Sequence, residues 1–277
     1  MDTGVSTQGL VLLALALIVS GYAMGFLAGL FGIGGGAILV PALYEAFRFV
    51  GIDPSIVMHL CLGTSLAVMI PTTYTSFRSH QERGSVDMVL LRRIAPWIVA
   101  GVAIGALIVR VAPVRTLQWI WAFCGTVLAL KMALARDDWR LGDTLPRSLV
   151  TEIFALLTGL VSTLMSIGGA SFMVAFMSLY GRPLLPAVST SSGLGPLIAI
   201  PGTIGFIWAG WGAPGLPPFS LGFISVIGAA LIIPVSVFAA PHGVKLAHGL
   251  PKRRLEVAFA LFLGLMSLRF FLAALFD

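Results

Sequence analysis

The sequence predicts an all-α integral membrane protein, an inverted repeat of two five-segment halves with Gly-rich helix breaks and about 8–10 membrane segments. Three observations predict it: a composition too apolar for water, a series of apolar runs bounded by Gly, Pro and charge, and a glycine motif that recurs halfway along the chain. Of 277 residues, 58% are hydrophobic and only 10% charged, with a mean hydropathy of +1.02. A soluble domain carries about 25% charged residues, so most of this protein's surface must face lipid. Soluble enzymes and nucleic-acid binders are thereby disfavoured. The net charge of +6 lies in short clusters between apolar runs, where membrane topology explains it better than a polyanion partner does. Cys61 and Cys124 both fall in apolar stretches and read as small core residues. No CxxC or clustered His accompanies them, so no disulfide, metal or cofactor is expected.

The first apolar run, Val11 to Leu30, is long enough to span, and the residues before it carry Asp2 and no base. It reads as a retained helix, since a signal peptide begins with positive charge. Nine further segments follow, giving 8–31, 35–50, 54–78, 87–110, 114–134, 147–167, 169–181, 184–208, 219–240 and 252–275. Two of them are short. At ~1.5 Å per residue, 169–181 reaches only about 20 Å against a ~30 Å hydrocarbon core, and 35–50 is marginal, so both read as half-helices. The division expected is 1–135 as the first half, 136–146 as a cytoplasmic linker and 147–277 as the second half.

If every segment crosses, the odd-numbered loops hold the bases of Arg78 to Arg93, Lys131 to Arg147, Arg182 and Lys245 to Arg254, which is 13 of the 17. Arg48, Arg110, Arg115 and Arg269 remain for the other side. The positive-inside rule then puts the odd loops in the cytoplasm and both termini outside. A re-entrant pair returns the chain to the side it left, so this parity survives the short segments.

Laying Gly25 to Leu43 over Gly159 to Met177, a shift of 134, matches six of 19 residues: Gly25, Leu30, Ile33, Gly34, Gly35 and Val40 with Gly159, Leu164, Ile167, Gly168, Gly169 and Val174. A second echo sets Cys61 to Ser65 against Val188 to Ser192, with Thr64 on Thr190, at a shift of 126. Five segments per half reverse the orientation, so the halves must run oppositely through the membrane. Two opposed copies of one architecture are the geometrical basis of alternating access in many secondary transporters.

Gly32-Ile33-Gly34-Gly35-Gly36 cannot be a comfortable helix interior, because each Gly costs roughly 1 kcal/mol relative to Ala. Ser166-Ile167-Gly168-Gly169-Ala170-Ser171 repeats the break. Each precedes a short segment whose first turn has free N–H groups, and free N–H groups attract anions. Gly34, Gly35, Gly36, Gly168 and Gly169 are therefore candidate binding residues, with Ser166, Ser171 and Ser162 adding hydroxyl donors. Gly21, Gly25 and Gly29 read instead as helix-packing glycines. A Rossmann or Walker loop is excluded by the lack of a preceding strand and of any Gly-Lys-Ser/Thr. A second polar constellation comprises Thr64, Ser65, Thr72 and Thr73 around Pro71, and Ser189, Thr190, Ser191 and Ser192 before Pro196 and Pro201. These hydroxyls either back-bond to their own helices or donate to a bound oxyanion, and Thr64, Ser65, Thr190 and Ser191 are the candidates for the second role.

The run from Gly25 through Gly36 to Pro41, the Gly63-Thr64-Ser65 segment, the weaker copy from Gly159 and the polar stretch His80 to Asp87 resemble the sulfite exporter TauE/SafE family of bacterial membrane proteins. The resemblance covers nearly the whole chain through its duplication. It implies movement of sulfite, sulfoacetate or other organosulfonates across the inner membrane, generally as export. The second copy departs from the fuller pattern, with Ser166 for a Gly, Ala170 for the third Gly of the triplet and Ala175 where Pro41 stands in the first.

Few ionisable residues lie deep enough to couple protons. Glu45 and His59 are the candidates, with Arg48 placed for an i,i+3 pair with Glu45, while Glu152 can snorkel to an interface. Sodium coupling stays open beside them, since unwound carbonyls can bind Na⁺ without an acid. Arg78 reads as a topology anchor. The expected partners are thus a small anion, the lipid bilayer and a proton or sodium ion, with no nucleic acid. Carriage of another small anion, or uptake in place of export, is the alternative within the same class. A membrane-embedded enzyme would need a nucleophile, acid or metal cluster, yet the four His residues, 59, 80, 242 and 248, show no ligand spacing such as HExxH. A structural scaffold accounts for the glycines as packing but not for their recurrence in opposed halves.

Overall fold

The computed structural model describes residues 15, 17–27, 35–134, 141–146, 149–247 and 252–276, and these form an all-helical bundle. Its helices are α1 (Leu17–Leu27), α2 (Gly36–Phe49), α3 (Val57–Glu82), α4 (Met88–Val111), α5 (Val114–Leu134), α6 (Leu149–Met165), α7 (Ala170–Leu179), α8 (Leu184–Ser192), α9 (Leu194–Ala209), α10 (Val226–Ala247) and α11 (Lys252–Phe276). By length and hydropathy α3, α4, α5, α10, α11 and the nearly continuous α8–α9 stretch can each cross a membrane. As expected, α2 and α7 are short, at 14 and 10 residues. Several boundaries differ from the sequence reading: α3 runs to Glu82 rather than 78 and α10 to Ala247 rather than 240. The eighth segment is two helices meeting at Gly193, where a Cβ would stand 2.5 Å from Leu91 Cδ2 and 3.1 Å from Phe77 Cε2. The ninth begins at Val226 rather than 219, because 210–225 forms a folded connection with a Ser220–Ser225 bridge.

Exposed side chains such as Val89, Ile104 and Leu107 on α4, Phe123 and Val127 on α5, and Leu261 and Leu265 on α11 form an apolar surface. Left in water, such a surface would associate; against lipid tails it is at rest. Buried polar side chains are confined to the interior, where α3 packs on α9, α4 on both α6 and α9, and α5 on α11. Close approach needs small residues. A Cβ on Gly101 of α4 would strike the Leu156 carbonyl of α6, and one on Gly159 of α6 would strike the Ile98 carbonyl of α4. On the opposite flank Gly21 of α1 lies against Ile232, and Gly25 against the Ser236 backbone of α10, so both are packing glycines as expected. Gly29 lies outside the described residues.

Candidate functional site

Both glycine breaks are real and share one conformation. Gly35 (φ 69°, ψ −8°) and Gly169 (φ 66°, ψ −18°) are left-handed residues, each immediately before a helix that starts at Gly36 or Ala170. The left-handed region costs an L-residue about 1–2 kcal/mol, which is why glycine stands at both. Neither helix start has a side-chain cap, so the N–H groups of its first turn have no partner from that source.

The two breaks meet. A Cβ on Gly36 would run into the Ser166 carbonyl oxygen and stand 2.9 Å from Met69 Sδ, so the start of α2 lies directly on the residues that precede α7, beside the middle of α3. Gly169 is enclosed by Ile198 Cδ1 at 2.5 Å and Ser162 Oγ at 3.0 Å from the place of a Cβ. Ser166 is itself left-handed, at φ 54°. Gly34 lies outside the described residues, and Gly168 is in the extended link between Ser166 and Gly169, with its carbonyl accepting from Ala170 N–H at 2.7 Å.

The hydroxyls singled out in the sequence divide into two groups. Ser65, Ser162 and Ser166 are fully buried, and their Oγ atoms, with that of Ser171, have no hydrogen-bond partner among the described residues. A buried hydroxyl without a partner costs roughly 1–3 kcal/mol, and several in one region of a folded protein call for a reason. The other group is occupied. Thr64 Oγ1 accepts from Ser225 N–H at 2.9 Å and Thr190 Oγ1 from Asp87 N–H at 3.0 Å. Ser189 Oγ lies 3.1 Å from His80 Nδ1, Ser191 Oγ reaches Met177 Sδ at 3.9 Å, and Ser192 Oγ donates to the Ser189 carbonyl at 2.6 Å. Thr72 and Thr73 back-bond to the Met69 carbonyl at 3.0 and 2.7 Å. Of the partners of these hydroxyls, Ser225 is one that sequence reasoning did not single out, whereas His80 and Asp87 bound the polar stretch it did; a capping carboxylate ahead of an apolar run was a further signal for Asp87.

The coupling candidates stand apart from the crossing. Glu45 Oε1 pairs with Arg269 Nε of α11 at 2.9 Å, in a groove of about 380 Å³ lined by Pro41, Tyr44, Leu265 and Phe270, and Arg48 Nη1 donates to Tyr44 Oη at 3.4 Å. His59 Nε2 lies 3.0 Å from the Ala112 carbonyl, so Nε2 carries the proton, and its Nδ1 is buried without a partner. Its ring packs on Phe223 at 4.8 Å. Glu152 is paired with Arg93 at 3.1 Å, joining α6 to α4, and Arg78 with Glu82 at 2.8 Å on an exposed turn.

An apolar-surfaced bundle with helix-breaking glycines brought together in its interior is a multi-pass membrane protein of the kind that carries small solutes, since broken helices in a bilayer are tolerated only inside protein or beside a solute path. The chain belongs to the sulfite exporter TauE/SafE family, a family of membrane transporters whose model matches residues 17–270. It is 35% identical to a "probable membrane transporter protein" of Haemophilus influenzae over 93% of this chain and 97% of that protein. It is also 26% identical to the "probable membrane transporter protein MJ0441" of Methanocaldococcus jannaschii, over 91% and 93% of the two chains. No solved structure matches the chain.

Proposed function

We propose that the protein is a secondary transporter of sulfite or small organosulfonates such as sulfoacetate, working by alternating access between two inverted halves. The observation that carries the reading is the crossing of the two breaks. Helix starts uncapped by side chains, at Gly36 and Ala170, come close to the buried hydroxyls of Ser162, Ser166 and Ser171 at the breaks and Ser65 one turn of α3 from Met69, which have no hydrogen-bond partner among the described residues. Helix N-termini favour negative charge, and the hydroxyls of Ser65, Ser162, Ser166 and Ser171 supply neutral donors, so the pair suits an oxyanion better than a cation. A sulfonate head presents three acceptor oxygens in a cone and can take bonds from both sides at once. Gly34, Gly35, Gly36, Gly168 and Gly169 would let backbone approach the ligand, and Thr64, Thr190 and Ser191 would hold the helices around it while offering their own hydroxyl protons.

Among the described residues Gly36 lies directly on the Ser166 carbonyl beside Met69, a closeness that suits an occluded form between outward- and inward-open ones. The family's name and the distribution of bases support export from a bacterial cytoplasm across the inner membrane, with both termini periplasmic. Proton coupling through Glu45 or His59, and sodium coupling, are separable by experiment. The test is flux of labelled sulfite and sulfoacetate in proteoliposomes with pH and sodium gradients imposed in turn. Saturable flux accelerated by one gradient is expected; no flux of any sulfur oxyanion under either gradient would remove the reading.

A further inference from the structure

α3 and the α8–α9 stretch lie antiparallel. His80 near the end of α3 meets Ser189 in α8, and Phe206 near the end of α9 lies 3.0 Å from the place of a Cβ on Gly63 near the start of α3. At the two ends, corresponding positions of the repeat make the same contacts. Asp87 N–H donates to Thr190 Oγ1 at 3.0 Å, and Ser225 N–H to Thr64 Oγ1 at 2.9 Å. Asp87 Oδ1 accepts from Leu90 N–H at 3.0 Å, and Ser225 Oγ from Gly228 N–H at 3.2 Å, each capping the helix that follows. Ser85 N–H donates to the His80 carbonyl at 3.4 Å, and Phe223 N–H to the Phe206 carbonyl at 3.2 Å. The offset is 126 residues for 64/190 and 80/206, and 138 for 85/223, 87/225 and 90/228. Met69, which touches the crossing of the breaks, lies between the two ends, roughly 8 Å along α3 from Thr64 and roughly 16 Å from His80.

We propose that the two threonine contacts are the latches of two gates, one on each side of the crossing, and that substrate passes when one opens while the other holds. The proposal rests on the transport reading above. Each latch ties α3 or α8 to the N-terminus of a helix that follows a loop, α10 for Thr64 and α4 for Thr190, so releasing one hydrogen bond frees a helix end without breaking a helix. The two ends differ in chemistry. Asp87 Oδ2 pairs with Arg182 Nη2 at 3.4 Å and His80 stands against Ser189, so the Thr190 end is polar. At the Thr64 end the capping residue is the uncharged Ser225, and Phe206, Phe223 and His59 close the gap with rings. With side chains 41% and 28% exposed, the Arg182–Asp87 pair is partly in water and biases its gate only modestly. Asp87 is thus a positioning residue for the polar gate, acting through its amide, its cap and its ion pair.

The experiment places a reporter, Ser171→Cys, in a background carrying Cys61→Ala and Cys124→Ala, and reads its labelling by a membrane-impermeant thiol reagent in right-side-out and inverted vesicles. Thr190→Val should raise labelling several-fold from the membrane side that bears Arg83 and leave the other side unchanged. Thr64→Val should do the reverse, from the side that bears Ala213. Asp87→Asn keeps the amide and a capping oxygen but removes the charge facing Arg182, and should raise labelling from the Arg83 side about two- to fivefold. It serves as the test of that gate should Thr190→Val fail to insert. A rise from the same side in both threonine variants, or from neither while the reporter reacts after denaturation, would overturn the proposal. Sided labelling in the reporter, with the unsubstituted protein moving no anion, would keep the latches and retire the transport reading, whereas flux in the unsubstituted protein with unsided labelling would do the opposite.

Discussion

Ser65 sits inside α3, fully buried, with a hydroxyl that has no hydrogen-bond partner among the described residues. Alanine there would be the better helix former and would remove a desolvated polar atom, so stability alone does not account for serine. The same reasoning covers Ser162 in α6. Two outcomes are therefore expected of Ser65→Ala and Ser162→Ala. The purified proteins should be as stable as the parent or more so, by up to roughly 2 kcal/mol, read as an equal or higher melting temperature, and their affinity for sulfite should fall about tenfold for each donor lost. A lower melting temperature with unchanged affinity would make these hydroxyls structural. Gly36 should behave differently, because its Cβ would meet backbone rather than a movable side chain. Gly36→Ala must push α2 away from Ser166, and should lose both flux and thermal stability, read by transport assay and by melting in detergent.

At the scale of helices, the glycines that are only packing separate from those at the breaks. Gly159→Ala places a methyl against the Ile98 carbonyl on the α4–α6 seam, and overpacking of this kind costs about 1–3 kcal/mol. The melting temperature should drop while the affinity of the protein that remains folded stays near that of the parent; a selective loss of affinity would place the seam in the site. The helix breaks were legible in the sequence to within a residue, because three adjacent glycines, and Gly168-Gly169 in the second copy, leave a helix few alternatives. Segment ends were legible for α4 and α5 from Pro and charge. The division at Gly193 was not, since Ser191-Ser192-Gly193-Leu194-Gly195-Pro196 carries no sign of the Leu91 and Phe77 side chains that pack beside that glycine. Nor was the employment of Thr64 and Thr190. Their partners, Ser225 and Asp87, are more than a hundred residues away, and a local pattern of hydroxyls cannot tell a ligand donor from an acceptor for a distant amide. Glu45 shows the same limit: its spacing to Arg48 suggested a pair within α2, and the packing of α11 supplies Arg269.

For the whole molecule, orientation and selectivity are the properties that follow. The asymmetry of bases predicts that a cysteine replacing Arg83 is shielded from an impermeant reagent added to intact cells and that one replacing Ala213 is labelled. Labelling at 83 with none at 213 would invert the protein in the membrane and with it the side on which each gate opens. Selectivity bears on the central claim, that the crossing of two helix starts with four unpartnered hydroxyls is a site for a pyramidal or tetrahedral oxyanion. A planar carboxylate of similar charge meets only part of such a donor set, and each buried donor left unmet costs roughly 1–3 kcal/mol, tenfold or more in affinity. The most direct measurement is competition at fixed pH for binding of labelled sulfite to the purified transporter by sulfoacetate, acetate and chloride. Sulfoacetate should displace sulfite at concentrations at least tenfold below those of acetate or chloride, with the gap narrowed in Ser65→Ala. Equal displacement by acetate and sulfoacetate would contradict the account.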